Sequence, residues 1–261
     1  MRPSVVLFAW TTLAVAADRP FVLAGRIAAD DFSHGTANWT AELEKGGSIT
    51  AKDGVLDVDV PGGLSLWWKQ ELRGPIFIRY EATMVQAAGA NDRVSDLNCF
   101  WMATDARSPG DFFAARRLGR FADYNELRAY YVGQGGNTNT TTRFRRYVGD
   151  AELRPLLPEH DLSDGSVLLR PNTPQTIELV ALGGRIQYYR DGRLLFDYQD
   201  REPYTRGYFA LRTVESHIQI RHFEVYRITE ARGVVGLVGI ARRANDRTKP
   251  APFACSPGGC G

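Results

Sequence analysis

The feature that most constrains the fold of this chain is an alternation of apolar and polar residues with a period of two. It recurs in segments bounded by Gly, Pro, Asn or Asp: residues 54–60, 76–82, 176–181, 185–189 and 217–220. Successive side chains of a strand point to opposite faces, so this alternation is typical of strands with one buried face. No segment has a long helical periodicity. The sequence therefore predicts an all-β fold, an antiparallel two-sheet sandwich.

A hairpin is predicted at Asp191-Gly192, which separates two of the strand-like segments. A two-residue type I′ turn needs positive φ at both central positions, and Asp-Gly supplies it at little cost. Residues 112–121 can hold a short helix, on which Arg116 and Arg117 are expected to face solvent. The span 148–174 holds several prolines and is expected to be a surface loop.

The two ends of the chain differ from its middle. Residues 1–16 combine Arg2, an apolar run and a small-x-small motif, the pattern of an export signal, which predicts a secreted or periplasmic protein. Residues 229–261 lack strand periodicity and are expected to form a poorly ordered tail, in which Cys255 and Cys260 are close enough in sequence to form a local disulfide. Cys99, within a strand pattern, is expected to be a buried small hydrophobe.

Net charge excludes several classes of partner. The 261 residues carry a net charge of +2, which gives no bulk field for nucleic acid or an anionic membrane.

No His-rich or Cys-rich spacing indicates a metal centre, and we expect no cofactor, although an Asp-rich loop is compatible with a structural calcium ion. A hydrophobic content of 44% is enough for one large β domain, which we expect to be a monomer.

Three stretches concentrate aromatic, amide and arginine side chains: residues 98–105, 123–131 and 137–147. This mixture is typical of a groove that holds a polyhydroxylated, acidic ligand. If residues 142–147 form a strand, Arg143, Arg145 and Tyr147 share one face. In the preceding segment, Arg128 and Tyr130 share a face by the same alternation. The candidate catalytic residues are Tyr130, Tyr147 and Arg143, and the candidate binding residues are Asn98, Arg145, Arg128, Asn137, Asn139 and Trp68.

Several short motifs give the chain a resemblance to a known fold family. They are residues 30–32, Trp39, residues 53–57, Trp67-Trp68, Asp191-Gly192, residues 207–212 and residues 220–226. Over residues 28–228 the chain resembles the concanavalin-A-like (laminin-G/glucanase) jelly roll and, more narrowly, a secreted bacterial family of unknown function that accompanies polysaccharide-degrading genes. The resemblance implies a sandwich whose concave sheet carries a glycan groove.

The chemistry of this groove has three interpretations. The Glu-x-Asp-x-x-Glu strand of the retaining jelly-roll glycosidases is absent, which disfavours hydrolysis by paired carboxylates. Arginine can instead neutralise a uronate and a tyrosine can move the proton, which favours a polysaccharide lyase acting by β-elimination. A non-catalytic, lectin-like module is the alternative, and a glycosidase of unusual mechanism is the third. An arginine or a tyrosine on a sheet face can also be purely structural, paired with an acid or packed at a core edge.

Overall fold

The computed structural model describes residues 19–231, and strands make up 56% of them. The strands are β1 (Phe21–Asp30), β2 (Trp39–Leu43), β3 (Ser48–Lys52), β4 (Val55–Trp68), β5 (Leu72–Arg73), β6 (Ile76–Met84), β7 (Leu97–Asp105), β8 (Leu127–Gly135), β9 (Thr141–Val148), β10 (Asp161–Leu162), β11 (Gln175–Leu182), β12 (Arg185–Arg190), β13 (Arg193–Gln199) and β14 (Arg206–Glu230).

Helical structure in the described residues is confined to single turns. Four are 3₁₀ turns: Phe112–Ala114, Phe121–Tyr124, Pro158–His160 and Gly165–Val167. Gly136–Asn139 form a left-handed turn, in which Asn137, Thr138 and Asn139 all have positive φ. None of the helices in residues 19–231 is long and apolar enough to cross a membrane.

The antiparallel strands form the two sheets of a jelly roll, as the alternation predicted. The first, here called the cleft sheet, has the order β10-β9-β8-β7-β14-β4-β2. The second, the back sheet, has the order β13-β12-β11-β6-β14-β4-β3, and β1 pairs with the C-terminal part of β14. Large apolar side chains from both sheets fill the space between them, among them Trp101, Tyr80 and Phe196.

β4 and β14 belong to both sheets because each bends where their pairing is interrupted. Their register shifts between Val214 and Ser216, and Glu215 at this point has a φ of 45°. An extra residue in one strand bends it and raises its twist, which allows a strand to cross from one sheet to the other. Residues 208–212 of β14 therefore pair with β7, whereas residues 218–227 pair with β6.

The predicted hairpin is confirmed. β12 and β13 are joined by Asp191 and Gly192, which have φ values of 52° and 75°. The predicted 148–174 loop is largely irregular, but it contributes the short edge strand β10 to the cleft sheet. Cys99 is free and buried, as expected.

The limits of the sandwich differ from the predicted ones. β1 begins at Phe21, before the predicted start at residue 28. Its first residues belong to the sheet because they pair with the last residues of β14. β14 continues to Glu230. The predicted export signal, the predicted tail beyond residue 231 and the Cys255 to Cys260 disulfide lie outside the described residues and stay predictions.

The connection between β7 and β8, residues 106–126, lies across the outer face of the cleft sheet and is here called the strap. It covers an aromatic cluster on that face, in which Phe112 and Tyr124 of the strap pack against Trp67 and Phe100 of the sheet. The strap shields this part of the sheet from solvent.

A buried charge network fastens the strap. Arg117, whose side chain is fully buried, donates from Nε to Glu42 Oε1 at 2.9 Å and from Nη1 to Asp105 Oδ2 at 2.9 Å. Glu42 Oε2 also accepts from Trp67 Nε1 and Tyr124 Oη, each at 2.8 Å. The expectation that Arg117 faces solvent is wrong, because two carboxylates on the sheet offset the cost of burying its charge.

Replacing Arg117 with Met should lower the free energy of unfolding by about 3–5 kcal/mol, because the buried Glu42 loses its cationic partner. Arg107→Met is the matched control. Arg107 also pairs with Asp105, at 2.7 Å, but its side chain is 39% exposed, so its loss should cost about 1 kcal/mol. Urea unfolding followed by tryptophan fluorescence measures both values. Equal losses in the two variants would contradict the role given to Arg117.

Candidate functional site

Beside the strap, the cleft sheet carries an open cleft of about 550 Å³. Its floor comes from alternate residues of neighbouring strands, namely Asn98 of β7, Tyr131 and Gly133 of β8, and Arg143 and Arg145 of β9. These residues share the outer face because side chains alternate along each strand. The pairings Asn98 to Gly133 and Gly133 to Arg143 place them side by side. The cleft is thus a row of residues that crosses the strands.

The walls come from loops. Phe121 of the strap and Arg154 of the β9–β10 connection stand on one side, and Gly136, Asn137 and Thr138 of the left-handed turn line the other. The turn lies close to Leu169: a Cβ at Gly135 would lie 2.3 Å from Leu169 Cδ1. Asn139 Nδ2 donates to the main-chain oxygen of Leu169, and Asn139 Oδ1 accepts from its main-chain nitrogen. The turn is therefore fixed to the neighbouring loop.

Four arginines line the cleft, and we call them the cleft arginines: Arg93, Arg143, Arg145 and Arg154. Two of them have acidic partners: Arg143 forms a bidentate pair with Asp161 at 2.7 and 3.0 Å, and Arg93 contacts Asp96 at 2.8 Å. The other two do not, within residues 19–231. Arg145 donates to the main-chain oxygen of Arg154 at 2.6 Å, and Arg154 donates to Asn125 Oδ1 at 3.1 Å.

A fifth arginine, Arg212, lies buried on the outer face of β14 beneath the strap. Its Nη1 donates to the carbonyl oxygen of Gly119 at 2.7 Å, and its guanidinium lies over the rings of Tyr124 and Phe121. Its Nε and Nη2 have no partner in the described part of the chain. Arg212 pairs in register with Asn98, whose Oδ1 is likewise buried without a partner. The cleft therefore rests on a cation that no carboxylate within residues 19–231 pairs with.

Two aromatic side chains line the cleft. Phe121 is 39% exposed, and its ring lies edge to face with Tyr131 at 6.1 Å. Tyr131 is nearly buried, and burial raises its pKa well above the usual value despite the nearby charge of Arg212. The phenol is thus protonated at neutral pH, and it can donate a proton or a hydrogen bond.

The predicted position of Tyr130 is wrong. Tyr130 points into the space between the sheets, where its hydroxyl donates to Asp200 Oδ2 at 2.7 Å and accepts from Tyr204 N at 3.0 Å. Burial, reinforced by the hydrogen bond to Asp200, raises the pKa of Tyr130. The strand begins at Leu127, and its alternation sends Tyr130 inwards and Tyr131 outwards. Tyr130 does not line the cleft.

Tyr147 lies on the predicted face, together with Arg143 and Arg145, but the strap covers it. Its side chain is fully buried against Phe100 and Tyr131, and its hydroxyl has no partner in the described residues. Burial raises the pKa of Tyr147, against the nearby positive charges of Arg154, Arg145 and Arg212. Tyr147 is out of reach of a ligand in the cleft.

The predicted binding residues separate into two groups. Asn98, Asn137 and Arg145 line the cleft, as does Arg143. The others lie elsewhere: Trp68 packs in the core against Trp39 and Phe223, Asn139 is engaged with Leu169, and Arg128 lines a separate depression beyond the strap. Trp68 fails as a stacking platform because its face of β4 is the inner one.

The sequence patterns missed Arg93, Phe121, Tyr131, Arg154 and Arg212. Arg93, Phe121 and Arg154 lie in loops, and Tyr131 faces the strap. No local sequence pattern specifies the path of these loops. Arg212 had one visible signal, since it is a charged residue at the end of the apolar run 208–211. Within residues 19–231, no group of three or more His, Cys, Asp or Glu side chains is arranged to hold a metal ion. The calcium site stays a prediction.

Comparison with known proteins identifies the family. The model of a family described as Domain of unknown function (DUF6250) matches residues 58–223. The chain belongs to this family. The matched span of this DUF6250 domain includes β6 to β13 and most of β4 and β14, and so all the strands that form the cleft floor. No curated protein matches the chain.

Solved structures share the fold of this DUF6250 protein. One is a protein of unknown function with a galectin-like fold from Bacillus subtilis, with 16% identity and a TM-score of 0.65, covering 81% of this chain and 100% of that chain. Another is a LamA variant from Z. galactanivorans in complex with laminaritriose and laminaritetraose, with 10% identity and a TM-score of 0.53, covering 79% of this chain and 100% of that chain. Identities this low establish the fold alone.

One edge of the cleft is held by His217. The segment that carries Arg93 and Asp96 also carries Asp92, whose Oδ1 lies 3.0 Å from His217 Nδ1, while Asp57 Oδ2 lies 3.2 Å from His217 Nε2. Partial burial lowers the pKa of His217, but the hydrogen bonds to Asp57 and Asp92 outweigh it, and the net pKa lies above the usual value. His217 is therefore a packing residue that joins two carboxylates.

Because the folded pKa is raised, His217 should stabilise the protein fully below its usual pKa of 6.5 and lose this contribution as the pH rises through the raised value. The difference in unfolding free energy between wild type and His217→Asn should be about 1 kcal/mol or less at pH 6 and should shrink towards pH 9. Urea unfolding across this pH range measures it. A difference that grows with pH would contradict the assignment.

Proposed function

We propose that this DUF6250 protein binds an acidic saccharide in the cleft. The observation that carries the proposal is the excess of arginine over carboxylate. The four cleft arginines meet Asp96 and Glu215 among the lining residues and Asp161 behind Arg143, and Arg212 adds a further cation beneath. Guanidinium groups bind carboxylate or sulfate through paired, charge-assisted hydrogen bonds. Arg145 and Arg154, which have no carboxylate partner in the described residues, are the cations available to a ligand.

The remaining lining residues suit a sugar rather than a simple anion. Phe121 offers an exposed apolar face against which the C–H side of a pyranose can pack, and Tyr131 lies beside it. Asn98 and Asn137 provide amide groups for hydroxyls. A protein of similar fold was solved with laminaritriose and laminaritetraose, so a saccharide is compatible with this architecture. The signal-like residues 1–16 support the further proposal that the protein meets this ligand outside the cytoplasm.

A second candidate function is β-elimination, because a phenol lies in the same cleft as the arginines. Elimination needs a cation to neutralise the uronate, a group that accepts the C5 proton and one that protonates the leaving oxygen. Tyr131, a phenol on the floor of the cleft, is placed for the last of these tasks. Tyr131 thus replaces Tyr130 and Tyr147 as the phenol that can reach a substrate.

Replacing Arg145 with Ala should weaken binding of an acidic oligosaccharide by about 10- to 100-fold, the loss expected for one charge-assisted hydrogen bond. Stability should change by less than about 1 kcal/mol, since Arg145 has no ion pair in the described residues to lose. Isothermal titration with uronate-containing and neutral oligosaccharides measures the affinity.

The control for this experiment is Arg185→Ala. Arg185 also lies on a strand and pairs with Asp197, but it belongs to the back sheet. Its replacement should leave the affinity unchanged. Equal losses in both variants, or tight binding of neutral glucans alone, would refute an acidic ligand in the cleft.

Tyr131→Phe separates the two candidate functions. If the protein is a lyase, this change should abolish the unsaturated product, detected by its ultraviolet absorbance, while binding falls by less than about tenfold. Tyr130→Phe is the matched control, because it removes the neighbouring phenol from the interior. It should reduce stability, since Asp200 loses a hydrogen bond, and should leave product formation intact. The absence of any product with the wild-type chain across a panel of uronate polymers would leave binding as the function.

A further inference from the structure

The cleft is closed at the end that faces β4. The lining residues come from β14, β7, β8, β9 and the adjacent loops, and none comes from β4 or β2. In register, the row of the floor leads from Asn98 to Arg212 of β14 and then to Ser65 of β4, and the next outward residue of β14, Val214 of the cleft lining, pairs with Gly63. The strap occupies that position. The surface available to a ligand therefore stops at β14.

The contact that closes the cleft is between two glycines. Gly119 of the strap lies directly on Gly63, so that a Cβ on Gly63 would be 2.1 Å from the carbonyl oxygen of Gly119. A Cβ on Gly119 would in turn be 2.4 Å from Glu44 N. Gly119 has a φ of 80°, a conformation that glycine adopts without strain. Backbone meets backbone here, and no space is left for a sugar ring.

The closed end is held from both sides of Gly119. Its carbonyl oxygen accepts from Arg212 Nη1 at 2.7 Å, and the preceding residue, Leu118, donates from its main-chain nitrogen to Asp123 Oδ2 at 2.7 Å. Arg117, which is buried in the charge network with Glu42 and Asp105, comes only two residues earlier. The contact that closes the cleft is thus part of the folded core of the strap.

The length of the open part limits the ligand. Four strands, β14, β7, β8 and β9, form the floor, and at about 4.8 Å per step they span about 14 Å. The strap borders this row on one side and the left-handed turn on the other. A short oligosaccharide fits such a row, whereas the inner part of a long chain would have to leave through the closed end.

We propose that the cleft takes the terminus of an acidic glycan chain and excludes internal segments. The inference rests on the proposed binding of an acidic saccharide in this cleft. Arg212 lies at the closed end, and its charge has no carboxylate partner in the described residues. Arg212 is buried and does not line the cleft, so its uncompensated charge acts through the electrostatic field and favours an acidic group on the terminal sugar, the sugar nearest this end.

The test compares a uronate polymer before and after partial depolymerisation, at equal mass. If termini are bound, the apparent affinity per mass of polymer rises in proportion to the number of chain ends, while the affinity per mole of ends is constant. Unchanged binding per mass after shortening would overturn the proposal, and it would leave acidic saccharide binding intact. Absence of binding to both samples would instead refute the underlying function and the terminus proposal with it.

A pair of adjacent substitutions tests the closing contact itself. Gly63→Ala places a methyl group against the main chain of Gly119 and must displace the strap. The ratio of its affinity per mass for shortened polymer to that for intact polymer should therefore fall several-fold. Gly62→Ala is the matched control, because its methyl group meets only the flexible side chain of Lys45, at 3.0 Å. Its preference should equal that of the wild type. A folded Gly63→Ala variant with an unchanged preference would refute the role of Gly119, and if that variant fails to fold, the chain-length comparison with the wild type decides.

Discussion

The buried contact of Arg117 with Glu42 and Asp105 is the interaction on which the shape of the cleft depends. An arginine and two carboxylates taken out of water cost several kcal/mol each unless they are paired and hydrogen-bonded, and here the pairing joins the strap to β2 and β7. The strap therefore has one position rather than many. That position covers Trp67 and Tyr147 and leaves the row of the cleft open.

Arginine side chains have different electrostatic roles beneath the strap and in the cleft. Under the strap, the charge of Arg117 is fully compensated, and it contributes to stability. In the cleft, Arg145 and Arg154 have no carboxylate partner among the described residues, so their charges remain available. Arg212 lies at the boundary, with one nitrogen engaged by the strap and two without partners. An anion in the cleft would complete the pairing that these residues leave open, and this is the physical basis of the proposed binding.

Both edges of the cleft are tied to the sandwich by short-range contacts of different kinds. On one side, His217 of β14 holds the segment of Asp92 and Arg93 through carboxylates, and on the other side Asn139 holds the left-handed turn to Leu169. The bend of β14 at Glu215 adds to the first of these contacts, because Arg93 donates to the main-chain oxygens of Val214 and Glu215. The preorganised walls reduce the conformational entropy that a ligand would otherwise have to fix.

The sequence by itself determined the sandwich, the Asp191-Gly192 hairpin, and the shared face of Arg143 and Arg145, because alternation and turn chemistry are local properties of the chain. It also placed Asn98 outwards. It put Tyr130 and Tyr131 on opposite faces but could not say which face lies outside, since the pairing register with neighbouring strands decides that. Nor could it show that Arg117 is buried, that Tyr147 is covered or that Gly119 rests on Gly63. Those outcomes depend on the path of the strap over strands that are distant in sequence, and only the tertiary structure decides that path.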